Sequence, residues 1–203
     1  MNKNSISYTV VFTFLSAFFF VLILSAANAF TAERVFANEK TSVYRGYLRA
    51  AGIEVKDRQE AAELFQEYFP GVEYPDIPEI VKAEVRGEEI VLTGISGNGV
   101  WGTIQGVIAV KSDLSRIAGL EIITHNETPG LGGRIDEEWF KNQFSGMKIP
   151  DEGLRVRKGR GTPVTDMESG EIDGITGATG TSNSIERIVN SRIFELREGG
   201  IGQ

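Results

Sequence analysis

The run Asp173-Gly174-Ile175-Thr176-Gly177-Ala178-Thr179-Gly180-Thr181-Ser182 sets four hydroxyls among residues too small to shield them. Thr179 is the most open of the four, and glycines on both sides of it permit backbone angles that other residues avoid. Downstream, Ile185, Ile188, Val189, Ile193 and Leu196 recur on one face of a helix, with Asn183 and Glu186 as a possible start signal. Amides ahead of a helix are unpaired and carry partial positive charge, so this run suits a phosphate. No lysine follows the glycines, which excludes a P-loop. An elaborate capping loop is the alternative reading of the same residues.

A second run, Glu127-Thr128-Pro129-Gly130-Leu131-Gly132-Gly133, follows His125. Pro-Gly makes a tight turn, and three glycines in four positions let a backbone approach a ligand closely. An ordinary loop is again the alternative, and His125 reads as a packed, hydrogen-bonded histidine or a residue beside a cofactor. A third run, Gly97-Asn98-Gly99-Val100-Trp101-Gly102, matches G-x-G-x-x-G. A dinucleotide fingerprint must open a helix, whereas the β-branched residues Thr103 to Val110 read as a strand. The run is therefore a glycine-rich hairpin, with Trp101 free at its edge to pack on a planar ligand.

These loops need elements to hold them. Val43, Tyr44, Tyr47, Leu48 and Ala51 recur at helical spacing before Gly52. Asp57 and Glu60 start a second short helix that carries Ala61, Leu64, Phe65, Tyr68 and Phe69 up to Pro70-Gly71. A linker runs from Tyr74 to Pro78. Strands are predicted at 89–96, 101–111 and 117–125, joined by short turns into an antiparallel meander. A short helix over 136–144 and a strand over 154–158 follow. Helices flank the strands without β-α-β alternation, which is an α+β pattern.

Composition narrows the chemistry. The net charge is −7 with 21 basic and 28 acidic residues, and the densest basic cluster is Arg155, Arg157, Lys158 and Arg160. Four charges in a loop make no groove for nucleic acid. With no cysteine and one histidine, disulfides, thiolate catalysis and most metal sites are excluded. No metal ligand set and no acid/base set for independent catalysis is visible. The chemistry must come from hydroxyls, carboxylates, amides or a borrowed cofactor.

The first 32 residues differ in kind. Between Lys3 and Glu33 there is no charge, and sixteen of the twenty residues from Tyr8 to Ala27 are apolar. Twenty helical residues span about 30 Å, the thickness of a bilayer core. Ala27-Asn28-Ala29 also fits a signal-peptidase site, but the long apolar core favours a retained anchor. Residues 1–32 are expected to form a cytoplasmic start and membrane helix, and 33–203 one extracytoplasmic domain, oriented by Lys3.

Asp173-x-x-Thr176-Gly177-Ala178-Thr179 closely resembles the flavinylation signature of the FMN-binding domain family, found in the C subunit of sodium-pumping NADH:quinone reductase and the G subunit of the Rnf complex. Ala50-Ala51-Gly52-Ile53, Gly99-Val100-Trp101-Gly102, Glu127 through Gly132 and Gln143-Phe144-Ser145-Gly146 agree in order. The sequence departs where Gly180 replaces a bulky aliphatic residue. Thr176 replaces a serine common in the reductase subunits, whereas Trp101-Gly102 is closer to them than to Rnf subunits.

The resemblance implies an antiparallel sheet flanked by helices, and an FMN joined through its phosphate to Thr179 by a separate flavin transferase. It implies that Asp173 serves transferase recognition and that Thr176, Gly177, Ala178, Thr181 and Ser182 cradle the phosphate. Lys158 is placed to neutralise it, or is simply a solvated charge. Glu127, Thr128, Pro129, Gly130, Leu131, Gly132 and Trp101 would line the ring. The implied function is electron relay within an ion-translocating complex in the inner membrane, with other membrane subunits and lipid as partners. A stand-alone extracytoplasmic flavin reductase and a tethered binding module without redox function are the alternatives.

Overall fold

A computed structural model describes residues 6–74, 76–77, 79–158 and 166–199. Lys3, Pro78 and Arg160, named above, lie outside these residues. Contacts divide the chain into two units, Met1–Lys40 and Thr41–Gln203.

The first unit belongs to helix α1, Ile6–Ala50. The predicted apolar span and the predicted helix around Tyr44 are one element. From Tyr8 to Arg45 no glycine or proline interrupts the chain, and Ala32, Glu33, Arg34, Ala37, Glu39 and Lys40 all favour continuation. In the first unit its large apolar residues, among them Phe12, Phe14, Phe18, Leu22 and Leu24, are exposed. By length and composition the segment can cross a membrane.

In the second unit, the end of α1 is followed by α2, Arg58–Tyr68, and a four-stranded antiparallel meander. Its strands are β1 (Ile80–Val85), β2 (Glu88–Asn98), β3 (Thr103–Lys111) and β4 (Ile117–Thr124), in that spatial order. A 3-10 turn at Gly132–Asp136 leads to α3, Glu138–Lys141. A parallel pair, β5 (Arg155–Arg157) and β6 (Glu171–Asp173), precedes α4, Thr179–Glu198. The α+β expectation holds, and the G-x-G-x-x-G run is a hairpin in which Asn98 pairs with Thr103.

Strand residues alternate between two cores, as the pleat requires. Leu92, Val107 and Ala109 pack with Tyr44, Leu48, Phe65 and Phe69 from α1 and α2. Val91, Ile104, Ile108 and Val110 face Phe140, Phe144, Ile185, Val189 and Ile193. The sheet is thus covered on both faces. Tyr44 stacks on Phe65 with centroids 3.8 Å apart, and truncating such a buried ring costs about 3–5 kcal/mol. At Gly46 an added Cβ would lie 2.8 Å from Ile123 Cγ1, and at Gly119 one would lie 2.4 Å from the Ala50 carbonyl. These two glycines let the helix end lie directly on β4.

The sequence reading leaves two strands unassigned and misplaces two helix bounds. Strand β1 lies just past the Tyr74–Pro78 linker, with Val81, Ala83 and Val85 turned inward and the charges Lys82 and Glu84 outward, an alternation too short to stand out. The three residues of β6 are too few to show a period. The helix over 136–144 is confined to α3, and turns carry the buried Phe144 and Met147. Helix α4 starts at Thr179, not at Asn183, because Glu186 spends its carboxylate on the Val156 N–H of β5 instead of capping.

Candidate functional site

The three glycine-rich runs converge on the start of α4. Glu127 joins them. It is 4% exposed; its Oε1 accepts the N–H groups of Val100 at 2.8 Å and Trp101 at 3.0 Å, and its Oε2 accepts the Thr181 hydroxyl at 2.6 Å. One carboxylate therefore fixes the β2–β3 hairpin tip, its own loop and the first turn of α4. Burial pushes the Glu127 carboxyl up, and hydrogen bonds from Thr181, Trp101 and Val100 outweigh burial and hold it below the usual range. Glycine is required around this group. A Cβ on Gly99 would lie 2.3 Å from Glu127 Oε1, and one on Gly132 would lie 2.5 Å from Thr181 Oγ1.

His125 supports the same loop. Its Nδ1 accepts the Glu127 N–H at 3.0 Å, and its Nε2 meets Asp136 at 2.8 Å. It is a packed, hydrogen-bonded histidine. Beyond it, Thr128, Pro129, Gly130 and Leu131 are exposed, while Glu127 and Gly132 are buried.

Within the Asp173–Ser182 run the fold sorts the hydroxyls. Thr181 is committed to Glu127. Ser182 accepts the Ile175 N–H at 2.9 Å and donates to the Ala178 carbonyl at 3.0 Å. Thr176 and Thr179 are exposed, and Gly177 between them has φ +81°. Thr179 is the first residue of α4, so the amides of that turn lack partners within the helix. On one side of it lies a cleft of about 260 Å3 lined by Arg157, Lys158, Thr176, Gly177 and Asn183. On the other side stand exposed apolar groups: Leu131 Cδ2 is 3.4 Å from where a Gly177 Cβ would be, and Val100 Cγ2 is 2.9 Å from where a Gly180 Cβ would be. Trp101, beside Val100, is 69% exposed.

Asp173 is buried. Its Oδ1 accepts from Arg157 Nε at 2.7 Å, its Oδ2 is buried with no partner among the described residues, and Gln143 brackets its backbone through Asp173 N–H and C=O at 2.8 and 3.3 Å. The structure brings together Asp173, Thr176, Gly177, Ala178, Thr179, Thr181, Ser182, Glu127 and Gly132, with Leu131 and Lys158 at the margins. Thr128, Pro129 and Gly130 lie on the exposed turn of the Glu127 loop. Sequence reasoning missed Arg157, Val100 and Asn183 as site residues. Each carried a different signal in the sequence: Arg157 stood in a basic run, Val100 in a glycine-rich hairpin and Asn183 as a helix start.

A hydroxyl between a cationic cleft and an apolar rim suits a ligand that carries both a phosphate and a flat ring. Residues 99–193 match the sequence profile of the FMN-binding domain. Over that stretch the chain is similar to the FMN-binding domain.

The C subunit of Na(+)-translocating NADH-quinone reductase from Yersinia pestis is 36% identical over 116 residues, covering 55% of this chain and 41% of that protein. The Vibrio anguillarum subunit is 33% identical over 159 residues, covering 75% and 57%. The chain thus spans about half the length of the curated relatives it matches. A structure of the subunit from Parabacteroides distasonis superposes with a TM-score of 0.62 at 24% identity, covering 81% of this chain and 92% of that one. Shewanella oneidensis NqrC gives 0.60 at 20%, covering 77% and 93%. The two superpositions establish that the chain shares the fold of these solved subunits. The residues fit the cofactor: Arg157 and Lys158 line the same cleft as Thr179, and the exposed apolar side chains of Leu131 and Val100 lie beside the glycines that flank it.

Proposed function

We propose that this chain is a membrane-anchored flavoprotein subunit that relays electrons through an FMN joined by a phosphoester to Thr179, within an ion-translocating NADH:quinone or Rnf-type oxidoreductase. The observation that carries this reading is the position of Thr179, an exposed hydroxyl on the first residue of a 20-residue helix, between the Arg157/Lys158 cleft and the Val100/Leu131 rim. A bound FMN supplies the electron-accepting ring, while the protein supplies position and electrostatics. The Thr176–Thr179 backbone and the two cations hold the phosphate, with Thr181 and Ser182 shaping the turn from inside. Trp101 and the Thr128–Leu131 turn flank the ring, anchored by Glu127. A phosphoester leaves the ring free for redox and prevents loss of cofactor from the outer face of a membrane.

The apolar part of α1 supports a membrane anchor within residues 1–32, and on this reading Lys3 ahead of it puts residues 33–203 on the extracytoplasmic side. Other membrane subunits of the complex, a flavin transferase and lipid are the partners on this reading. Coexpression with a flavin transferase is expected to yield a band that fluoresces under ultraviolet on a denaturing gel, with the mass of FMN less one water added. Thr179→Ala should abolish the band and preserve the fold. Flavin covalently retained in that variant, or no attachment to the wild-type chain, would overturn the reading.

A further inference from the structure

The first residue of the D-x-x-T-G-A-T run is inaccessible. The Asp173 side chain is 3% exposed, and Gln143 pins its backbone from α3's side of the core. A transferase docking on the folded surface cannot touch it. The group Asp173 touches is Arg157, its register partner across the parallel β5–β6 pair. That contact fixes Nε at 2.7 Å from Oδ1, and Glu171 takes Nη1 at 3.4 Å. Hydrogen bonding to Asp173 is the main cause that raises the guanidinium pKa. The side chain is 32% exposed and lines the cleft with Thr176 and Thr179. An arginine has five N–H donors in a rigid fork, and among the described residues two of those on Arg157 are engaged.

Resting on the reading that Thr179 is the attachment point, we propose that Arg157, beside Lys158, is the cation that grips the flavin phosphate through its two-pronged fork, and that Asp173 acts on attachment only as the positioning residue holding Arg157. A phosphate monoester cannot transfer unaided, so the donor is a flavin pyrophosphate such as FAD. The Oγ of Thr179 bonds to the flavin-side phosphorus, the bridging P–O bond breaks, AMP departs with the electron pair, and the threonine proton passes to solvent. Nothing is oxidised or reduced. Arg157 can donate two parallel hydrogen bonds to the non-bridging oxygens, where a lysine is only a point charge.

The test uses the full chain, a purified flavin transferase and FAD, with attachment rate read by in-gel fluorescence. Arg157→Gln is expected to slow attachment about tenfold, the size of one lost charge-assisted contact. Asp173→Asn should slow it similarly, and the double variant should be no slower than Arg157→Gln alone. Arg157→Lys should recover part of the rate, and Arg155→Gln, on the same strand but directed at Glu152, should match wild type. The phosphorus NMR signal of attached flavin should move alike in Arg157→Gln and Asp173→Asn.

Wild-type rate in Arg157→Gln overturns the proposal. So does an Asp173→Asn effect that multiplies in full on the Arg157→Gln background. Should Asp173→Asn fail to fold, the Arg157→Gln, Arg157→Lys and Arg155→Gln series decides. Absence of label on the wild-type chain would refute the Thr179 reading itself, a result distinct from labelling that is indifferent to Arg157.

Discussion

The Thr181 hydroxyl donates to Glu127 Oε2 at 2.6 Å across 54 positions of sequence, and the opposite oxygen of that carboxylate holds the Val100 and Trp101 amides. Two residues from the proposed attachment point, the chain is therefore clamped to both neighbouring loops. Thr181→Val should leave Glu127 Oε2 buried without a donor, a loss of about 1–3 kcal/mol. Urea unfolding of Thr181→Val, Glu127→Gln and the double variant should show a coupling of at least about 0.5 kcal/mol. Strict additivity would mean that the contact contributes nothing.

The same carboxylate sets an acid limit. Its folded pKa lies below its ordinary unfolded value. The stability it contributes is fully present above the unfolded value and is lost as pH falls through the folded one. Thermal unfolding followed downward from neutral pH should show a fall below about pH 4.3. That fall should be shallower in Glu127→Gln, which has no proton to take up there.

Lys141 is 6% exposed and bonds both oxygens of Glu121 as well as Glu138. Lys141→Met should cost about 3 kcal/mol, because removing one partner strands a half-buried carboxylate. A cost below about 1 kcal/mol, the range of an exposed pair, would show that Arg49 compensates.

Gly180 abuts Val100. Gly180→Val should displace the hairpin tip and destabilise the domain by about 1–3 kcal/mol. Adding Val100→Ala should restore part of the loss in the same unfolding assay, and no recovery would place the strain elsewhere.

The anchor is tested by fractionation. Full-length protein should stay with membranes after carbonate washing, and a chain beginning at residue 33 should be soluble and folded. A soluble protein starting at Phe30 would instead indicate cleavage after Ala29.

Much of this was legible in the sequence, for identifiable reasons. Asp57 and Glu60 marked α2 because capping uses neighbouring residues, and the structure shows Asp57 accepting from the Gln59 and Glu60 amides. The β-branched run after Trp101 distinguished a hairpin from a nucleotide fold. What escaped depends on distant partners. Glu186 looked like half of a capping pair, yet it bonds Val156 thirty positions away. Asp173 and Arg157 are ordinary charges in the sequence and become a pair only when β5 and β6 run parallel. Glu127 was grouped with its neighbours as a ring-lining residue, and only the fold shows both of its oxygens turned inward.

The sorting of hydroxyls in the Asp173–Ser182 run also sets an order of events. In an unfolded chain Thr176, Thr179, Thr181 and Ser182 are equally reachable, whereas in the native protein two of them are enclosed. Folding narrows the choice from four hydroxyls to two, and it does so only after the sheet and α4 have assembled. On the proposed function, maturation follows folding, and the yellow chromophore marks the molecules that folded in time to receive it.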